Sequence, residues 1–128
     1  MKSRLENLVF GTIEDDMPQL KTIRDILYEN PEVGGTEEKA YNLLSKTMEN
    51  HGFTVDYDFH NIPYCFRSEF DSGKPGAVIG ITAEYDALPD IGHGCGHNII
   101  AATSVGAALA LKEAVRETGG KVILYGTP

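Results

Sequence analysis

Between Pro18 and Asn30 apolar residues recur at Leu20, Ile23, Ile26 and Leu27, while Lys21, Arg24 and Asp25 fall on the opposite side. That spacing predicts a surface helix with one buried stripe. Asn30-Pro31 ends it, because the residue before a proline is pushed out of the helical region, and Gly34-Gly35 supplies a turn. Thr36 is placed as the N-cap of a second helix. Glu37 and Glu38 then lie in its first turn, Ala40, Leu43, Leu44 and Met48 form its apolar stripe, and Gly52 stops it. From Phe53 to Phe59 the pattern switches to strict alternation, Phe53, Val55, Tyr57 and Phe59 against Thr54, Asp56 and Asp58, which predicts a half-buried strand.

Tyr64, Cys65 and Phe66 suggest a short edge strand, followed by a turn cluster over Asp71-Ser72-Gly73-Lys74-Pro75-Gly76. Ala77 to Ala83 is a nearly continuous apolar run, the pattern of a central strand covered on both faces. Ile99 to Arg116 reads as a helix rich in small residues, ended by Gly119-Gly120, and Lys121 to Tyr125 as a last apolar strand. This order predicts one α/β domain over residues 1–128: a mostly parallel sheet flanked by helices. Ala77–Ala83 and Val122–Tyr125 are expected to be parallel neighbours joined by a right-handed crossover.

Composition agrees with a single globular unit, 128 residues with 41% hydrophobic and 23% charged. Eleven basic against nineteen acidic residues give a net charge of −8. A surface of that sign repels phosphate backbones, so no nucleic-acid partner is expected. The most apolar stretch, Ile99 to Leu111, is interrupted by Thr103, Ser104 and Gly106 and falls short of the roughly 20 residues that span a bilayer, so no membrane partner is expected either. No apolar segment follows the basic residues near Met1, and two cysteines, Cys65 and Cys95, make no disulfide framework; a cytoplasmic location is the expectation.

Ligands in α/β sheets sit at the carboxyl ends of parallel strands. Beyond Ala83 lie Glu84-Tyr85-Asp86-Ala87-Leu88-Pro89 and then Gly92-His93-Gly94-Cys95-Gly96-His97-Asn98. Three metal-ligating side chains within five residues, spaced by glycines, suit a divalent ion such as Zn²⁺, Mn²⁺ or Co²⁺ at Cys95 and His97, with Glu84 and Asp86 as nearby carboxylates. Three other readings stay open at this point. His93 and His97 can be surface loop residues with Cys95 as a small apolar one; the glycines can cradle a phosphate, although they miss the G-x-G-x-x-G spacing; Cys95 and His97 can form a nucleophilic pair.

Ala83-Glu84-Tyr85-Asp86-Ala87-Leu88-Pro89, Gly92-His93-Gly94-Cys95-Gly96-His97-Asn98 and Val122-Ile123-Leu124-Tyr125-Gly126-Thr127-Pro128 together closely resemble the amidohydrolase branch of the M20 metallopeptidase family. Asn30-Pro31-Glu32-Val33-Gly34-Gly35-Thr36-Glu37-Glu38 resembles that family's N-terminal segment. The resemblance implies the N-terminal portion of a zinc-peptidase-like catalytic domain. It implies a di-metal hydrolase in which Cys95 and His97 bind metal and Asp86 organises the site, with His93 structural. Glu84 stands where the wider family has a ligand histidine.

The substrates implied are N-acyl amino acids or small dipeptides, cleaved at the amide. In the family a pair of glutamates, one of them the general base, follows the Gly-Thr-Pro, and further histidine ligands and a dimerisation domain come later. The chain stops at Pro128, so the expectation is an N-terminal portion holding half a metal site and inactive alone. The rival expectation is a non-catalytic folding unit or interaction module that binds metal weakly at most. Val122–Tyr125 is expected to lie at an exposed sheet edge and to recruit a second copy, unless residues 61–70 fold over to cover it.

Overall fold

The computed structural model describes residues 1–128. Helix α1 runs Arg4–Glu29 and α2 Glu38–Asn50; strands β1 (Thr54–Tyr57), β2 (Phe66–Asp71) and β3 (Val78–Glu84) follow, then helix α3 (His97–Thr118) and strand β4 (Lys121–Thr127). The first helix starts fourteen residues before the predicted Pro18. A capping box opens it, with the Ser3 hydroxyl accepting the Glu6 N–H and the Glu6 carboxylate accepting the Ser3 N–H. Pro18 sits inside the helix, and both Pro18 and Glu14, whose carbonyl loses its helical donor there, are exposed, so water can satisfy the free carbonyl.

Helix α2 begins at Glu38 and Thr36 does not cap it. The Thr36 hydroxyl instead donates to the Val33 carbonyl at 2.8 Å. The orphan N–H groups of Lys39 and Ala40 are taken by the two carboxylate oxygens of Glu32, each at 2.9 Å. A carboxylate from seven residues upstream thus satisfies the helix terminus with the favoured charge.

The strands form one sheet in the order β1-β2-β4-β3. Only β3 and β4 are parallel; β1 with β2 and β2 with β4 are antiparallel. The expected mostly parallel sheet is therefore mixed and mainly antiparallel, and the reason is β2. Its inward residues Phe66, Ser68 and Phe70 lie opposite Gly126, Leu124 and Val122, while Arg67, Glu69 and Asp71 face outward. Glu69 and Asp71 there hold Lys121, with Asp71 Oδ2 2.9 Å from its Nζ.

Because β2 and β3 flank it, β4 is interior, and the edge expected at Val122–Tyr125 does not exist. The edge strands are β1 and β3, and Val78 of β3 is 63% exposed. Its apolar run is one-sided: Ile79, Ile81 and Ala83 turn toward the core, and Val78, Gly80 and Thr82 turn away.

Helix α3 packs over β3 and β4, α2 over β1 and β2, and α1 lies outside α3. Nineteen buried residues form the core, among them Leu20, Ile23 and Leu27 of α1, Leu44 and Met48 of α2, and Val105 and Leu109 of α3. Gly106 lets α1 approach α3, since a Cβ there would stand 2.7 Å from the Leu20 side chain. By length and hydropathy α3 would pass for a membrane-crossing helix, longer than the sequence pattern suggested, but half of its apolar window is buried and it is the central helix of this core.

Candidate active site

The parallel pair β3–β4 directs the chain's chemistry to its carboxyl end. Glu84 closes β3 opposite Thr127, and Asp86 lies two residues on. Ala87 is fixed by a parallel bridge to Val33 and by its N–H donating to the Glu32 carbonyl at 2.7 Å. The chain then closes a tight loop: the Leu88 N–H donates to the Gly92 carbonyl at 2.9 Å, and the Gly92 N–H returns to Leu88 at 3.0 Å. Gly96 takes the left-handed φ of 77° that turns the chain into α3, and His97 is the first residue of that helix.

This path brings His97 back over the strand end. Its Nδ1 is 2.7 Å from Asp86 Oδ1, and its Nε2 is 3.7 Å from Glu84 Oε2. A carboxylate that accepts from Nδ1 fixes the tautomer with the proton on that nitrogen and leaves the Nε2 lone pair free. His97 is largely covered, with 19% of its side chain accessible, whereas Glu84 is half exposed at 53%. Cys95 is exposed. His93 has a buried Nδ1 with no partner, and burial together with the neighbouring His97 pushes its pKa below the ordinary imidazole value.

Two groups back the site from inside. Tyr85, between Glu84 and Asp86, is fully buried; its hydroxyl donates to the Tyr64 carbonyl and its ring stacks near Phe66, 6.4 Å between centroids. Burial raises the pKa of its phenol strongly. Glu37 is buried as well. Nothing in the sequence pattern distinguished it from a first-turn helix acid; the available signal was the Gly34-Gly35 pair before it, which lets the chain turn that side chain inward.

The chemistry of the donor set fits a metal ion in part. A histidine anchored through Nδ1, with Nε2 facing a carboxylate, is how a protein presents one imidazole ligand. No three His, Cys, Asp or Glu side chains of this chain are grouped to hold an ion by themselves.

No protein-family model matches the chain. It is 34% identical over 135 residues to a subunit of p-aminobenzoyl-glutamate hydrolase from Escherichia coli, covering 91% of this chain and 28% of that protein. It is 32% identical over 129 residues to the Xaa-Arg dipeptidase of Mus musculus, covering 91% of this chain and 30% of that one. A crystal structure of the Bacillus subtilis YXEP protein, described as a dinuclear metal binding peptidase from the M20 family, shares the fold. Its TM-score is 0.78 at 24% identity, over 90% of this chain and 36% of that one. The chain is thus similar to part of these hydrolases and shares the fold of that M20 peptidase.

The chain spans less than a third of the length of the two relatives matched by sequence. The resemblance drawn from the motifs around Asp86, Cys95 and His97 and from Asn30–Glu38 thus extends over about nine-tenths of the chain.

Proposed function

We propose that this chain is the N-terminal part of a metal-dependent amidohydrolase that cleaves the amide of an N-acyl amino acid or small dipeptide. The observation that carries this reading is the 2.7 Å contact between His97 Nδ1 and Asp86 Oδ1 at the carboxyl end of β3, in a chain homologous to hydrolases. Cys95 and His97 would hold metal, with two ions expected in the complete site. A bound ion supplies Lewis acidity to the amide carbonyl and to water.

The residues of this chain do the positioning. Asp86 accepts the Nδ1 proton of His97 and keeps the ring from rotating. Glu84 places a carboxylate toward that nitrogen and toward solvent. The α3 N-terminus directs its dipole into the same space. The general base and the remaining ligands are expected beyond Pro128.

Calorimetric titration of Zn²⁺ into the chain tests this. Weak binding is expected, lowered sharply by Cys95→Ser and by His97→Ala; equal affinity in wild type and both variants removes the two residues as ligands. A second reading, a folding unit without catalysis, is favoured by one observation: β2 and β3 flank β4, so the strand expected at an open edge is interior. Metal-dependent amidase turnover by the purified chain, abolished by Cys95→Ser, would exclude it.

A further inference from the structure

Helix α1 packs one stripe of residues against α3, and a second stripe beside it has no partner. Phe10, Glu14, Met17, Lys21, Arg24 and Tyr28 follow one another at steps of 4, 3, 4, 3 and 4 residues, which places all six on one side of the helix. Phe10 is 46% exposed, Met17 37% and Tyr28 65%. Glu14 and Lys21 enter none of the chain's ion pairs. Arg24 meets its neighbour Asp25 at 2.7 Å, both partly exposed, and a surface pair of that kind is worth little. The stripe also borders the groove of about 350 Å³ between α1 and α3, lined by Met17, Lys21 and Arg24 on one side and by Ile99, 54% exposed, on the other.

The pattern of steps reads the same in both directions. An antiparallel two-fold at the level of Gln19 therefore lays the stripe on its own copy with Phe10 opposite Tyr28, Glu14 opposite Arg24, and Met17 opposite Lys21. Aromatic rings then close both ends of a contact about 27 Å long, at 1.5 Å of rise per residue. Inside them stand two Glu–Arg pairs, and at the centre the aliphatic stems of the lysines cover the thioethers. A parallel arrangement in register would instead set Glu14 on Glu14 and Lys21 on Lys21, which is repulsive.

We propose that this side of α1 is a self-association surface, on which a second copy of the chain docks antiparallel through its own α1 and pairs Glu14 with Arg24 in both directions. The proposal goes beyond the amidohydrolase reading and does not depend on it. Two chains of net charge −8 repel at long range. At about 0.15 M salt the Debye length is about 8 Å, so that repulsion is screened while pairs in contact still act.

Sedimentation equilibrium of the 128-residue chain at that salt tests it. Wild type is expected to pass from monomer to dimer between about 10 μM and 1 mM, as suits a small interface. Glu14→Arg and Arg24→Glu each set like charges opposite one another twice and are expected to weaken the dimer about tenfold or more. Mixing the two variants in equal amounts is expected to restore it, because every opposed pair is then of opposite sign.

Wild type that stays monomeric to about 1 mM overturns the proposal. So does a dimer that neither reversal weakens, as pairing along the β3 edge would give, or a mixture that associates no better than each variant alone. Dilution of the wild type followed by NMR needs no substitution and so stands even if a variant fails to fold. The Met17 methyl and the Phe10 and Tyr28 ring signals are expected to move while the Val78 methyls stay; the reverse pattern overturns the proposal.

Discussion

Gly126→Ala should be among the most damaging single-methyl changes in this chain. Gly126 lies opposite Phe66 in the β2–β4 ladder. A Cβ there would come within 2.0 Å of Phe66 Cε1 and 2.3 Å of Cδ1. The ring has no exit: Phe66 is 0% exposed, with Tyr85 stacked on one side and Tyr41 edge-on at 6.2 Å. Overpacking a closed core costs about 1–3 kcal/mol, and a contact this short against a ring calls for the upper end. About 3 kcal/mol lowers the Tm of a domain this size by roughly 10 °C.

Gly106→Ala is the internal control. Its clash at 2.7 Å is with the tip of Leu20, which lines an open groove of about 350 Å³ between α1 and α3 and has room to turn. Alanine also gains up to about 1 kcal/mol of helix propensity there, so the net change should stay within roughly 1 kcal/mol. Urea unfolding followed by circular dichroism measures both. In a double-mutant cycle Phe66→Leu should remove most of the Gly126→Ala penalty. A Gly126→Ala protein within about 1 kcal/mol of wild type, or a penalty untouched by Phe66→Leu, would refute the packing argument.

Glu37→Gln should gain stability over wild type as pH rises. The folded protein holds the Glu37 proton above its ordinary 4.5, so wild type loses stability from that pH upward until the folded group ionises, while glutamine has nothing to lose; thermal melts at pH 5 and 8 should show the gap widening. Tyr85→Phe strands the Tyr64 carbonyl and should cost about 1–3 kcal/mol by urea titration. Arg4→Ala breaks the ion pair with Glu117, whose arginine is 85% exposed, and should leave the melting curve where it was.

The helices were legible because each shows a buried face repeating at helical spacing: Leu20, Ile23 and Leu27 in α1, and Ala40, Leu44 and Met48 in α2, are all buried. A strand was expected near β2, at Tyr64 to Phe66, and residues 61–70 were the segment able to cover β4, but the strand runs Phe66–Asp71. Ser68 occupies an inward position, where its hydroxyl donates to the Leu124 carbonyl at 3.2 Å, and a polar residue there breaks the apolar signal. The run Ala77–Ala83 was assigned to the sheet centre because small and apolar residues on an exposed face look like those on a buried one. At the site, sequence spacing brought Asp86 and His97 to attention, and their side chains meet. Cys95, equally prominent in the motif, is exposed; loop glycines permit many directions, and the one adopted depends on contacts that spacing does not encode.

The position of β4 sets an order of events for folding. Both β2 and β3 pair with β4, and the Ser68 to Leu124 contact joins residues 56 apart in the chain. On a ribosome the first three strands would emerge without the strand that unites them, with the charged outer row of β2 and its aromatic inner row both unpaired. Closing such distant contacts is slow and leaves a window for misassociation. Only when β4 arrives does the sheet have its centre.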